Sequence, residues 1–410
     1  MALSGELAEG MRSHNAWRAH ALGLYVLLMY GIAYYAISTA APRMATDFGV
    51  ATSTILGIFS GALLLTAPLA ALYGRWMDRF GAPLVLLVAS LARACALVAM
   101  AYAPHLAVFV AALVAVQLLS QATEYDATFA AAVEVAGPEA RAGMSQITLW
   151  GGVASTAFWP LTAMLLEHGS WRGMLLLYAC IMLLVCTPIA FSLTRRPPER
   201  MRATPQLPAH LEAIAGAEAV TQPAPSALTF TLLACAFALA GVAFSLPLLM
   251  LPVLDGLGLG AGAILAGALF GPSQTAGRFA DLLFGRWTHP LSIALLSMLA
   301  VVLSLVILVA GGPTVTSAVA FGILFGIGVG VGYVTRGSVV LALYGTTNYA
   351  TRLGHLGSIR LTVSAIAPYF LAVVLEQAGA AHVVIVCAAT AAFSVLCFAM
   401  LKRNVHHSSA

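Results

Sequence analysis

Charge is what this sequence has least of. Only 8% of its 410 residues are Asp, Glu, Lys or Arg, while 61% are hydrophobic; soluble globular proteins carry about 25% charged residues. A soluble fold needs a polar exterior that such a composition does not supply, whereas a lipid surround removes the need. The net charge of +4 is small and spread along the chain, which argues against a nucleic-acid partner. Lysine is nearly absent, Lys402 standing against eighteen arginines, a usage expected of a GC-rich bacterial genome. The six cysteines, Cys95, Cys180, Cys186, Cys235, Cys387 and Cys397, form no CxxC and no His/Cys cluster. They read as small buried hydrophobes, and no metal or cofactor is expected; the alternative is a soft-metalloid site built by thiols converging from separate helices. No nucleophile elbow, metal-ligand spacing or phosphate loop is present, so an enzyme is not expected. The longest polar stretch, residues 194–226, is too short for the soluble domain of a receptor.

Apolar runs are what the sequence has in abundance. A membrane-spanning helix needs roughly 20 mainly apolar residues, and that ruler yields twelve windows. The first six lie near 21–41, 52–73, 82–103, 106–134, 143–166 and 172–193. The second six lie near 227–254, 261–284, 291–310, 314–343, 352–376 and 381–401. The first apolar stretch, residues 21–40, is longer than the roughly 7–15 residues of a signal-peptide core, so it is expected to be a first span. Turns with breakers separate the windows, among them Ala41-Pro42, Ala103-Pro104, Gly137-Pro138 and Gly311-Gly312-Pro313. The predicted architecture is an all-α polytopic membrane protein with twelve transmembrane helices in two six-helix bundles, residues 1–193 and 227–410, joined by a Pro-rich linker at 194–226. Within that linker, residues 207–220 are expected to form a short interfacial helix.

Arginine counting orients the chain. With the N-terminus inside, one side holds Arg12, Arg18, Arg75, Arg79, Arg141, Arg195, Arg196, Arg200, Arg202, Arg278, Arg286, Arg352, Lys402 and Arg403. The other holds Arg43 and Arg172. This bias of 14 to 2 predicts a multi-pass protein of the bacterial inner membrane with both termini cytoplasmic. Nothing calls for a second copy, so a monomer in the lipid bilayer is expected.

The two halves repeat. The loop after the second window reads Gly74-Arg75-Trp76-Met77-Asp78-Arg79-Phe80-Gly81. The loop after the eighth contains Gly277-Arg278-Phe279-Ala280-Asp281 and then Gly285-Arg286. Both carry Gly-Arg-aromatic-x-Asp, 203 residues apart, and such internal duplication is common in secondary transporters. On these residues the chain resembles the major facilitator superfamily, whose loop signature is Gly-x-x-x-Asp-Arg-x-Gly-x-basic. Gly74, Asp78, Arg79 and Gly81 match, while Pro83 replaces the final basic residue; Gly277 and Asp281 match in the second copy, with Leu282 in place of Arg. The resemblance covers the whole chain and implies a small-molecule substrate carried between the bundles. It also implies a gating role for Gly74, Asp78, Arg79, Gly81, Gly277, Arg278 and Asp281, the acids latching the halves through a basic side chain or the positive end of a helix. The antiporter branches carry a Gly-Pro signature in span five, which Trp150-Gly151-Gly152 and Trp159-Pro160 match poorly.

Ionisable residues inside spans are costly and point to function. In span four, Gln117, Gln121 and Glu124 are spaced as one helical stripe, with Asp126 pointing elsewhere. Arg93 lies in span three, Arg336 in span ten and Arg360 in span eleven. Asp126 follows Pro104 by 22 residues and Arg336 follows Pro313 by 23, so an acid and an arginine occupy matching depths in equivalent spans. Arg93 is expected to form a structural ion pair with Glu124 or Asp126. Asp126 or Glu124 is the expected proton-coupling carboxylate, because burial favours the protonated form and a nearby arginine the ionised one. Three arginines against two acids leave one positive charge over, which favours an anionic substrate, since arginine holds carboxylates and phosphates bidentately. Arg336, Arg360, Tyr30, Tyr34 and Gln121 are the candidate substrate contacts, and Tyr25 is read equally well as cavity or lipid-interface tyrosine. Proton-driven efflux of drugs or metalloid compounds is the rival function. Pro247 and Pro252 are expected to kink span seven, and Gly322, Gly326 and Gly330 to form a close-packing face.

Overall fold

The computed structural model describes residues 17–137, 140–194 and 227–408. The linker with its expected helix at 207–220, Arg12, Pro138 and the side chains of His406 and His407 lie outside the described residues. All regular structure among these residues is helical. The first half comprises α1 (Trp17–Phe48), α2 (Thr52–Phe80), α3 (Ala82–Ala101), α4 (Leu106–Ala136), α5 (Ala140–His168) and α6 (Trp171–Thr194). The second comprises α7 (Ala227–Gly256), α8 (Ala261–Phe284), α9 (Pro290–Ala310), α10 (Val315–Tyr344), α11 (Tyr349–Ala378) and α12 (Ala380–Ser408). Eleven of these are long and apolar enough to cross a bilayer. The twelfth, α8, matches them in length, but its second part, from Gly271 to Asp281, is rich in polar and small residues. Ser273, Arg278 and Asp281 are buried against other helices rather than offered to lipid, which is how a spanning helix tolerates them.

Turns between the helices follow most of the breakers, but not Ala41-Pro42: Pro42 lies inside α1, which runs on to Phe48. Gly49, with φ 66°, closes α1 in the left-handed conformation, and Gly81, with φ 92°, separates α2 from α3; both are positions where a side chain brings strain. Beyond Gly81, the backbone N–H of Ala82 donates to Glu134 Oε2 at 2.6 Å, so an acid at the end of α4 caps the start of α3.

Because successive helices alternate in direction, Arg75, Arg79, Arg141, Arg286, Arg352, Lys402 and Arg403 share one face, here called the basic face. Arg43 and Arg172 lie on the opposite face, tied within the first half. Arg172 pairs with Asp47, which also accepts from Trp171 Nε1 at 2.8 Å, and Arg43 donates to the Leu166 carbonyl.

Within the second half, the glycine face of α10 packs on α8. A Cβ at Gly322, Gly326 or Gly330 would run into the backbone of Ala266, Phe270 or Gln274, the close approach that small residues permit in lipid, where burial alone does not drive helices together. Between the halves, α2 packs along α11 and α5 along α8. Both contacts lie toward the basic face. There the Ala71 N–H donates to Ser358 Oγ at 3.1 Å, and a Cβ at Gly74 or Gly354 would meet the carbonyls of Ala350 or Ala70. Toward the opposite face, the Cα positions of Gly57 and Gly61 on α2 face open space. The halves are thus closed against each other at the basic face and apart at the other.

Five helices are irregular: α5 is interrupted by a turn at Val153, and α6 is π-helical over Met182–Cys186. In α1, residues Gly31–Ala36 form a π-helical segment. In α4, the α-helix stops at Leu118, passes through a 3-10 turn at Ser120–Ala122 and an extended Glu124, and restarts at Tyr125. In α7, a 3-10 turn at Leu246–Leu249 follows the last helical turn at Ala243, where Pro247 removes a donor. Broken helices survive at membrane depth only where protein or a cavity meets the freed backbone, and the irregular segments of α1, α4 and α7 carry or adjoin rings that meet one another across the halves.

Candidate functional site

The break in α4 is plugged by Arg93. This side chain is fully buried, and its Nε donates to the Val116 carbonyl at 3.1 Å, freed by the break. Its Nη1 donates to Thr123 Oγ1 at 2.6 Å and its Nη2 to Glu124 Oε1 at 3.1 Å. The expected polar stripe on α4 therefore does not form. Gln117 points to α1, donating to the Ala33 carbonyl at 2.9 Å inside the π-helical segment. Gln121 sits in the 3-10 turn beside Ser120 and lines a small crevice with Asp126, Gly74, Ala350 and Gly354. Glu124 turns back to Arg93. Of the two partners open to Arg93 from the sequence, the structure selects Glu124.

Asp126, in the first turn of the restarted helix, crosses to the other half. Its Oδ2 accepts from Arg360 Nη2 on α11 at 3.1 Å, with the two side chains 14% and 16% exposed. Its Oδ1 is buried and has no hydrogen-bond partner among the described residues. The matching depth of Asp126 and Arg336 does not pair them; α11, not α10, supplies the partner.

Arg336 is also buried, and no carboxylate among the described residues forms an ion pair with it. Its Nε donates to the Tyr333 carbonyl at 3.3 Å, and its guanidinium lies 4.5 Å from the centroid of the Tyr333 ring and 5.4 Å from that of Tyr125. Such faces attract a cation but do not neutralise it. Its charge repels that of Arg360.

A wall of rings surrounds this guanidinium. Tyr30 and Tyr34 stack at 5.1 Å, 6° from parallel, and Tyr35 meets both edge-on. The π-helical segment, with its wider turn, gathers these three rings of α1 into one cluster. Tyr30 approaches Tyr125 of α4 at 5.9 Å, Tyr125 meets Tyr333 of α10 across the halves at 6.2 Å, and Tyr333 stacks on Phe244 at the break in α7. Tyr25 is not part of the wall. It is fully buried between helices, its hydroxyl 2.6 Å from Ser90 Oγ, so it is neither a cavity nor a lipid-interface tyrosine.

The repeated loops hold the basic face shut in two different ways. Asp78 accepts the backbone N–H groups of Ala350 at 3.2 Å and Thr351 at 2.6 Å, the free donors of the first turn of α11. Asn348, at the N-cap position, makes no side-chain cap, so the cap of α11 comes from the other half of the molecule. Asp281 instead accepts from Ser145 Oγ of α5 at 2.5 Å, flanked by Arg141, which donates to the Thr288 carbonyl at 2.7 Å. Arg79 lies over the exposed Phe80 ring, and a Cβ at Gly277 would meet the Ile327 backbone.

Arg278 is the residue that sequence reading placed least well. Counted there among the basic-side arginines, it is 3% exposed. It donates across the halves to the Thr148 carbonyl at 3.0 Å and lies 5.1 Å from the Tyr333 ring, on which Arg336 also sits. Its spacing to Gly277 and Asp281 gave no warning, because the loop motif extends one turn into the buried part of α8. Among the described residues no group of three or more His, Cys, Asp and Glu is placed to hold a metal ion.

With this geometry in hand, the sequence model of the Major Facilitator Superfamily matches residues 24–333, more than half of the chain. The chain belongs to this superfamily. Solved structures of the superfamily share its fold. The human organic anion transporter MFSD10 (TETRAN) superposes with a TM-score of 0.69 at 19% identity, covering 94% of this chain and 99% of that one. The proton:xylose symporter XylE, solved with 6-bromo-6-deoxy-D-glucose, gives 0.65 at 12% identity over 94% and 95%. The transporter FucP in its outward conformation gives 0.67 at 12% identity over 93% and 98%. No curated protein sequence matches the chain. In this major facilitator fold, Gly74 sits where α2 and α11 touch, and that contact is testable. Gly74→Val puts a branched side chain against the Ala350 carbonyl, which cannot move aside as a flexible side chain can. Spin labels on α2 and α11 at the basic face, in a background lacking the native cysteines, should show a clear shift to longer distances by double electron–electron resonance. An unchanged distance distribution overturns the role given to this contact.

Proposed function

We propose that this protein is a secondary transporter carrying a small organic anion across a bacterial inner membrane by alternating access, driven by protons. The observation that carries this reading is Arg336. Of the arginines that the sequence puts inside spans, Arg93 is neutralised by Glu124 and Arg360 by Asp126, and Arg336 is left facing the space between the halves. An unpaired guanidinium at membrane depth is costly unless something negative joins it. Asp126 supports proton coupling better than Glu124, because its ion pair spans the halves while that of Glu124 stays within one. A proton on Asp126 removes an interaction that holds the halves together. Alternating access is then rocking of residues 1–193 against 227–410 about the linker at 194–226, with the basic face as the cytoplasmic one. The rival, efflux of cationic drugs, finds less support, since both membrane carboxylates of α4 already face arginines.

The test is thermal-shift titration of the purified protein with mono- and dicarboxylates and with cationic drugs. A ligand that binds the folded state raises its melting temperature. Arg336→Gln should weaken the best acid by roughly 30-fold, about 2 kcal/mol, and Arg336→Lys by less, because it keeps the charge but loses the fork. Unchanged affinity in Arg336→Gln, or stabilisation by cations alone, overturns the reading.

A further inference from the structure

The polar groups around Arg336 are nearly all committed. Gln117 is held by the Ala33 carbonyl, Gln274 Oε1 accepts from Arg278, and Glu124 and Asp126 each hold an arginine. Among the described residues the Arg336 fork stays uncommitted, together with the hydroxyls and faces of Tyr30, Tyr34 and Tyr333, the single oxygen Asp126 Oδ1 and the Nε of Arg278. A polyhydroxylated ligand needs several free amide or carboxylate partners, whereas Gln117, Gln274 and Glu124 are engaged and Asp126 leaves one carboxylate oxygen over. A wholly aliphatic acid needs only apolar walls, yet the wall is built of π-faces. Rings from four helices of both halves (Tyr30, Tyr125, Tyr333 and Phe244) touch one another in sequence at 5.9–6.2 Å, so a ring laid against this wall meets π-faces and edges, with which it makes offset-stacked and edge-to-face contacts.

Resting on the anion reading above, we propose that the substrate is an aryl carboxylate, its carboxylate held by Arg336 and its ring by the tyrosine wall. The wall spans the halves, so a ring bound there touches α1 and α4 on one side and α7 and α10 on the other. The ligand thereby senses the relative position of the bundles, which a carboxylate held on α10 alone does not.

Benzoate and cyclohexanecarboxylate are matched probes: both are six-membered-ring monocarboxylates, and only one has a π-system. Binding to the full-length protein, measured by thermal shift and isothermal titration, should favour benzoate by tenfold or more, about 1.4 kcal/mol. Tyr30→Leu and Phe244→Leu leave the ring contacts of Arg336 in place and should bring the ratio to within threefold of unity while retaining affinity for cyclohexanecarboxylate. Tyr30→Phe should keep the preference. Equal binding of the two acids by the wild type, with Arg336→Gln still weakening both, overturns the aryl assignment and leaves the anion reading standing. A preference that survives both leucine variants also overturns it. Binding of neither acid overturns both readings.

Discussion

Arg93→Met should lower the melting temperature of the purified protein by on the order of 10 °C and strongly reduce the yield of folded material. The substitution keeps most of the apolar volume but strands three groups at once: the Val116 carbonyl, Thr123 Oγ1 and the Glu124 carboxylate. Removing one partner of a buried ion pair costs about 3–5 kcal/mol because the other charge stays behind. Arg93→Met combined with Glu124→Gln should recover much of the loss, since no charge then remains unpaired. A single variant that melts with the wild type removes Arg93 as the plug of the α4 break. Equal melting of the single and double variants removes the ion pair as its energetic centre.

Asp126→Asn has a different expected signature. Arg360 keeps its buried position and loses its acid, so a similar destabilisation is expected, relieved by Arg360→Gln in the same chain. Function should divide in two. In liposomes under a pH gradient, accumulation of the transported acid above equilibrium should vanish in Asp126→Asn, while exchange of labelled for unlabelled acid across the membrane continues. Glu124→Gln should show no such division: whatever folded protein it yields should still accumulate substrate against a gradient. Accumulation by Asp126→Asn at the wild-type level takes the proton away from Asp126.

Much of the fold was legible because helix length and apolarity are local properties. The twelve windows, the turns at Pro and Gly other than Ala41-Pro42, the Gly322, Gly326 and Gly330 face and the pairing of Arg93 with a nearby acid of α4 all follow from neighbours in sequence. The break in α4 was harder. No Gly or Pro lies between Leu119 and Glu124; the available signal was Ser120 and Thr123, whose hydroxyls compete with the helix for its backbone. Thr123 Oγ1 indeed donates to the Leu119 carbonyl at 3.0 Å. Because the break went unread, Gln117, Gln121 and Glu124 were assigned one face that they do not share. The partner of Asp126 was illegible for another reason. Arg360 lies 234 residues away, and only the packing of α4 against α11 decides between it and Arg336. Burial of Arg278 likewise depends on α5 and α10 closing over α8.

The borrowed cap of α11 contributes one small term to the alternating access proposed above. A helix start held by two amide-to-carboxylate bonds on a solvent-accessible aspartate is worth about 1–2 kcal/mol, a bias of roughly tenfold in population. If the basic face parts as proposed, the first turn of α11 loses that cap and is free to fray. A stronger lock would hold the molecule in one state. This one, beside the Asp126–Arg360 pair and the Arg278 contact that also join the halves, adds a term small enough for the proposed anion to offset by binding one arrangement of the halves more tightly than the other.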